Sequence, residues 1–345
     1  MLLQASHAAT TFVDPADFRA EVFEQALIRA IALVVLLACY RVGPSALRPI
    51  LPALVVLAAF MLLACWIPGL ADPKNGSNRW IAIPGLNRTI QPSELARLFL
   101  VLWVADRCTR LGPKLQELRH GSAPILAVGL VFVALIGLET DLGGAAVFLF
   151  VFLLTWFVGG ASFHHFSTSI GLMGIGIFSM GMLFMGYIRN RMDVFFGVVQ
   201  NQQVESSTQA LGSGELFGQG LGQGEWRNSA MPYQDSDYIF AMVGEELGFF
   251  GMALCIGLLI AFVWFSLRLV LSIRDRYSAL VAFGLLFGVG LQAMIHLQVV
   301  TRLAPPKGMT LPFLSDGGTS LIVSSLAVGL ALGAARFCGA PTNVA

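Results

Sequence analysis

Charge is scarce in this chain. Only 12% of the 345 residues are Asp, Glu, Lys or Arg, whereas soluble domains carry about 25%. Too little charge remains to cover a water-facing surface, which excludes a soluble globular protein. The net charge of +1 removes the electrostatic basis for nucleic-acid binding. Histidine is rare as well: His7, His120, His164, His165 and His296 show no metal-ligand spacing. The five cysteines, Cys39, Cys65, Cys108, Cys255 and Cys338, are scattered without a CxxC pair, so neither a disulfide framework nor a zinc site is indicated. No GxxxxGK[ST] nucleotide loop occurs. The opening "MLLQASHAATTFVDPADFRAE" lacks the basic start and apolar core of a signal peptide.

What is abundant is apolar. Hydrophobic residues make up 56% of the chain, and mean hydropathy is +0.76. The composition predicts an all-α polytopic integral membrane protein. Runs of about 20 apolar residues mark bilayer-spanning helices. They predict about nine spans, near 25–42, 50–70, 91–106, 122–139, 142–160, 166–186, 238–272, 279–303 and 318–338. Together they read as one membrane domain over 1–345. Most connections are tight, but 187–237 forms one large loop containing "GSGELFGQGLGQG". A loop that long in a compact protein has work to do. Loop basic residues set the orientation. Arg41, Arg48, Arg107, Arg110, Lys114, Arg119, Arg268, Arg274 and Arg276 are assigned to the cytoplasmic side. The outer side holds Lys74, Arg79, Arg88, Arg189, Arg191, Arg227, Arg302 and Lys307, together with most of the acids.

Five polar patches fall on that outer side: 74–97, 139–144, 187–191, the Gly-rich loop ending in "PYQDSDYIFA", and "PPKGMTLPFLSDGGTS" at 305–320. Glu94 and Arg97 are spaced i, i+3 and share a helix face. Glu139 and Asp141 sit between two spans with almost no loop. Asp237 stands at the mouth of a long apolar run. One continuous helix from Asp237 would put Glu245 about 80° round and roughly 12 Å deeper, with Glu246 on the far face. The four acids of "PYQDSDYIFAMVGEELG" would then not form one cluster. Arg189, Arg191 and Lys307 are suited to phosphate groups, Arg by a bidentate fork and Lys as a point charge.

Six ordered motifs carry a resemblance: "NGSNRWI", "QPSELAR", "DLGGA", "QALGSGELFGQGLGQG", "DSDYIFAMVGEELGFFG" and "PPKGMTLPFLSDGGTS". In this order, over residues 1 to about 336, the chain resembles the SEDS family (shape, elongation, division and sporulation), which includes FtsW, RodA and SpoVE. The run "KGMTLPFLS" is similar to the division and sporulation branch. The resemblance implies a peptidoglycan glycosyltransferase of the bacterial cytoplasmic membrane, acting in cell division or cell-shape maintenance with its active site facing outward. It implies lipid II as substrate and a class B penicillin-binding protein, within the divisome or elongasome, as partner. Mg²⁺ or Mn²⁺ is implied without a nameable ligand set, and no organic cofactor. The family's catalytic aspartate matches Asp237, its intramembrane acid Glu94, and its Asp-Leu-Gly acid Asp141. Arg79 and Ser315, in two of the motifs, join Arg189, Arg191, Lys307, Glu94, Arg97 and Asp141 as substrate-binding candidates. Some positions depart from the pattern. Arg97 stands for the usual lysine, Asp316 for an aromatic, and Ser229 and Tyr233 for upstream glutamates. The family has about ten spans. Here residues 2–27 read as the end of a first span and its loop, so the first helix is lost or the start lies upstream.

The implied reaction joins a sugar C4 hydroxyl to the anomeric carbon of a second lipid-linked sugar. It needs a base, supplied by Asp237, and positive charge to steady the departing diphosphate. Two other readings compete. A lipid II flippase would use intramembrane acids such as Glu94, Glu245 and Glu246, but should show inverted repeats, and none is visible. The other is a non-catalytic scaffold that activates the penicillin-binding protein.

Overall fold

A computed structural model describes residues 15–72, 77–82, 89–183, 185–228 and 234–338. Each of the nine predicted intervals holds a helix: α1 Pro15–Val42, α2 Leu51–Ala64, α3 Pro92–Leu111, α4 Ala123–Leu138, α5 Leu142–Val158, α6 Phe163–Leu183, α11 Ile239–Ser272, α12 Arg276–Val300 and α13 Gly318–Cys338. Between α6 and α11 lie α7 Met185–Phe195, α8 Gln202–Ser213, and the single turns α9 Glu225–Asn228 and α10 Gln234–Asp237. Among the described residues, a small antiparallel ribbon, β1 Ile81–Ala82 with β2 Thr89–Ile90, departs from the all-α pattern.

Among the described residues, six helices are long and apolar enough to cross a bilayer, and α5 is a shorter apolar helix. The predicted span at α3 falls outside the six because the helix carries Glu94, Arg97, Asp106, Arg107 and Arg110. The protein is a multi-pass membrane protein. Large apolar side chains point outward along α11, with Phe265 68% and Leu271 84% exposed. Water would penalise such a surface, whereas lipid covers it.

Three differences from expectation have local causes. First, α1 starts at Pro15, although its first part was read as loop. Proline is favoured at a helix's first position, and the following "ADFRAEVFEQAL" is rich in helix formers. Second, α10 ends at Asp237, Tyr238 forms a bend, and α11 begins at Ile239. No single helix runs on from Asp237, so the angular separation expected between it and the glutamates does not apply. Third, the overlong run at 239–272 is interrupted at Gly248, whose φ of 64° and ψ of −160° are non-helical.

The helices gather into two compact units. One comprises Met1–Val34, Gly186–Trp264 and Val289–Ser324. The other comprises Val35–Met185, Phe265–Gly288 and Ser325–Ala345. The second unit has a dense aromatic and aliphatic core. Phe132, Phe148 and Phe152 stack at 6.1 Å steps, and Trp156 and Tyr277 are fully buried. The C-terminal end of α3 is tied down by charge: Asp106 accepts from Arg48 Nε at 2.9 Å and pairs with Arg110 at 2.7 Å. Arg48 also lies over the Tyr277 ring, whose hydroxyl donates to the Pro44 carbonyl. Both arginines are assigned to the cytoplasmic side by the sequence reading. In the first unit, the core gathers Ala210, Tyr238–Met242, Ala293, Val300 and Leu311.

Candidate active site

In the first unit the site is built around Asp237. Its half-buried carboxylate rests against Gly308: a Cβ there would lie 2.5 Å from Asp237 Oδ2. The loop before Ser315 is pinned at three carbonyls. Arg191 donates to Pro306 O at 2.5 Å. His296 Nδ1 bonds Met309 O at 2.6 Å. Gln292 donates to Thr310 O at 3.2 Å and to Thr310 Oγ1 at 3.1 Å. Ser315 closes the arrangement. Its Oγ accepts from Leu311 N at 2.7 Å and donates to Ser236 O at 2.6 Å. The loop bearing Lys307 and the turn bearing Asp237 are thereby joined one residue from the carboxylate.

The electrostatics agree with this geometry. Burial pushes the Tyr238 phenol up to about 12, and neighbouring Asp237 adds to the rise, while Arg191 and Arg302 oppose it. Two guanidinium groups and Asp237 therefore act on one ring. Arg302, counted in the sequence only as an outer-loop charge, joins this group. It holds a left-handed backbone, φ 58°, at the end of α12. Arg189 does not take part in these contacts: it is 80% exposed and pairs with Asp193 at 3.8 Å.

The Gly-rich loop repairs the break in α11. A helix interrupted at Gly248 leaves carbonyls before it and N–H groups after it without helical partners. Gln219 N and Gly220 N donate to Glu245 O and Glu246 O at 2.9 and 3.1 Å. Phe249 N and Phe250 N donate to Glu215 O and Leu216 O at 2.9 and 3.3 Å. Gly218, φ 83°, and Gly248 lie backbone to backbone, and a Cβ on either would collide with the other segment. The fully buried Glu245 side chain accepts from Trp226 N at 2.8 Å, which holds α9 in place. The two deep glutamates thus belong to a loop anchor. The signals were the excess length of the apolar run and the glycine within it.

The second unit carries the other candidates at the N-terminal end of α3. Asp141 caps α5 by accepting from Gly144 N at 2.8 Å and faces Arg79 at 3.5 Å. Arg97 feels both Glu94 and Asp141. Arg79 also stacks over Trp80 at 4.5 Å. In the turn between α4 and α5, Ser77 Oγ donates to Glu139 O at 2.8 Å. Burial, and after it the neighbouring Asp141, raises the Glu139 carboxyl to about 8 against the lowering effect of Cys65 and Arg79. The five outer patches thus fall three to one unit and two to the other. Lys74, Arg88, Ser229 and Tyr233 lie outside the described residues. Among the described residues no three His, Cys, Asp or Glu side chains gather to hold a metal ion.

The family model described as cell cycle protein, covering FtsW, RodA and SpoVE, matches residues 1–338. The chain belongs to this family. It is 33% identical over 283 residues to a probable peptidoglycan glycosyltransferase FtsW of Geobacter sp. strain M18, covering 79% of this chain and 75% of that protein. It is 35% identical over 291 residues to stage V sporulation protein E of Bacillus subtilis strain 168, covering 82% and 78%. Two solved structures share the fold. A chain of a peptidoglycan synthase complex superposes with a TM-score of 0.77 at 22% identity, covering 98% of this chain and 95% of that one. The rod shape-determining protein RodA of Thermus thermophilus gives 0.67 at 24% identity, covering 98% and 93%.

Proposed function

We propose that this protein is a peptidoglycan glycosyltransferase that polymerises lipid II at the outer face of the cytoplasmic membrane. A class B penicillin-binding protein supplies the cross-linking activity beside it. The observation that carries the reading is Asp237, seated against Gly308 with Arg191, Arg302 and the Lys307 loop around it, in a chain of this family.

The chemistry follows from those groups. Half-exposed beside basic residues, the Asp237 carboxylate is available as a base. It accepts the proton of the acceptor sugar's C4 hydroxyl as that oxygen bonds to the donor's anomeric carbon. The anomeric carbon's bond to the diphosphate breaks, and the electron pair leaves with the diphosphate. Arg191, Arg302 and Lys307 offer positive charge where that negative charge develops. The cluster of Arg79, Arg97, Glu94 and Asp141 belongs to the other unit and serves there as a buried ion-pair network.

The test is lipid II polymerisation by purified protein, alone and with its transpeptidase. Asp237→Asn is expected to fold and to bind the transpeptidase, with polymer formation reduced by roughly a hundredfold or more. Wild-type rates from that variant would remove Asp237 from the mechanism. Movement of lipid II between leaflets without polymer, in the unmutated protein, would mark a transporter instead.

A further inference from the structure

His296 lies in the body of α12, where a residue of that kind has no obvious employment. It is 1% exposed. Its Nδ1 meets Met309 O at 2.6 Å. A carbonyl oxygen only accepts, so Nδ1 carries the proton. Nε2 is fully buried and makes no hydrogen bond among the described residues. A charged ring would bury an unsatisfied N–H there, so the ring is neutral. One turn earlier on the same face, Gln292 holds the next residue of the loop, Thr310, through both its carbonyl and its hydroxyl. Thr310 in turn donates to Ser320 Oγ at 2.7 Å. Two side chains spaced i, i+4 on one helix thus grip two consecutive loop residues. The residue before Met309 is Gly308, whose Cα abuts the Asp237 carboxylate.

We infer that His296 is a positioning residue for the transfer reaction: through the Met309 carbonyl it fixes the Lys307–Gly308 segment against Asp237. The inference rests on the assignment of Asp237 as base. Substrate never touches the imidazole. Its effect is on where the carboxylate and the Lys307 ammonium stand. A misplacement of about 1 Å at a reacting group costs up to about a hundredfold in rate.

The geometry allows a sharp experiment, because the two imidazole nitrogens have different amide mimics. An asparagine amide reaches the place of Nδ1, and a glutamine amide reaches the place of Nε2. His296→Asn therefore keeps a donor for Met309 O, and His296→Gln does not. Each variant is purified and its kcat and KM for lipid II are measured, with Asp237→Asn run in parallel. The expected result is a kcat lowered roughly tenfold to a hundredfold in His296→Gln and His296→Leu. KM should change little, and His296→Asn should retain most of the activity. Equal activity of the Asn and Gln variants, or a fully active His296→Leu, overturns the inference. If the leucine variant fails to fold, the Asn–Gln contrast alone decides. An active Asp237→Asn would instead sink the assignment of the base, a result separable from any His296 outcome.

Discussion

Asp237 owes its setting to a residue without a side chain. Gly308 leaves room for the carboxylate, and a methyl group at that position would press on Oδ2 from 2.5 Å. Gly308→Ala is therefore expected to push the carboxylate aside while the rest of the loop, pinned at Pro306, Met309 and Thr310, stays in place. Initial polymerisation rates should fall by about tenfold or more, with unchanged thermal stability. A wild-type rate would show that the carboxylate tolerates displacement. At this scale the sequence was partly readable. Asp237, Arg191 and Lys307 stood out as polar residues at the ends of apolar runs, Ser315 entered only through a motif, and the structure brings all four to one place. His296 and Gln292 were not found, because each is a lone polar residue in an apolar helix and its partner is a main-chain carbonyl. No side-chain pattern in a sequence displays a carbonyl.

Helices were the most legible elements, since spanning a bilayer demands a long apolar run and little else. Their interruptions were not. The break in α11 is hidden inside such a run, and its missing hydrogen bonds are replaced by a loop some thirty residues earlier in the chain. A wheel drawn from Asp237 failed for the same reason: the bend at Tyr238 resets the helix before it starts. Gly248→Ala should be costly on two counts. A positive φ with extended ψ is essentially reserved for glycine and costs another residue about 1–3 kcal/mol, and the added Cβ would meet the backbone around Gly218 and Leu216. The expected outcome is a lowered melting temperature in detergent and faster proteolysis within 214–224. An unchanged cleavage pattern would mean that the loop holds its place without the break.

For the molecule as a whole, stability should depend on pH through Glu139. Its carboxyl, raised from 4.5 to about 8 in the fold, keeps a proton that the unfolded chain releases. The stabilisation is complete below pH 4.5, declines as pH rises towards 8, and is gone above it. Glu139→Gln, which cannot ionise, should flatten that decline in melting temperature between pH 5 and 8. A slope identical to that of the unmutated protein would assign the dependence to other groups. The division into two units was not legible, because every apolar run looks alike and composition does not tell which helices pack together. Arg48 and Arg110, assigned to one side by loop charge, share one acid, Asp106.

The repair of α11 by the Gly-rich loop also bears on how the chain is made. Residues 214–220 are synthesised before Gly248. Until then, the carbonyls of Glu215 and Leu216 and the amides of Gln219 and Gly220 have no main-chain partner in α11. Unpaired groups of this kind are kept out of hydrocarbon by their need for water. The loop must therefore wait in water while the next span is threaded, and the two halves of that span acquire their caps only after insertion. Biogenesis thus has a fixed order, with the span placed first and the loop closing over it last.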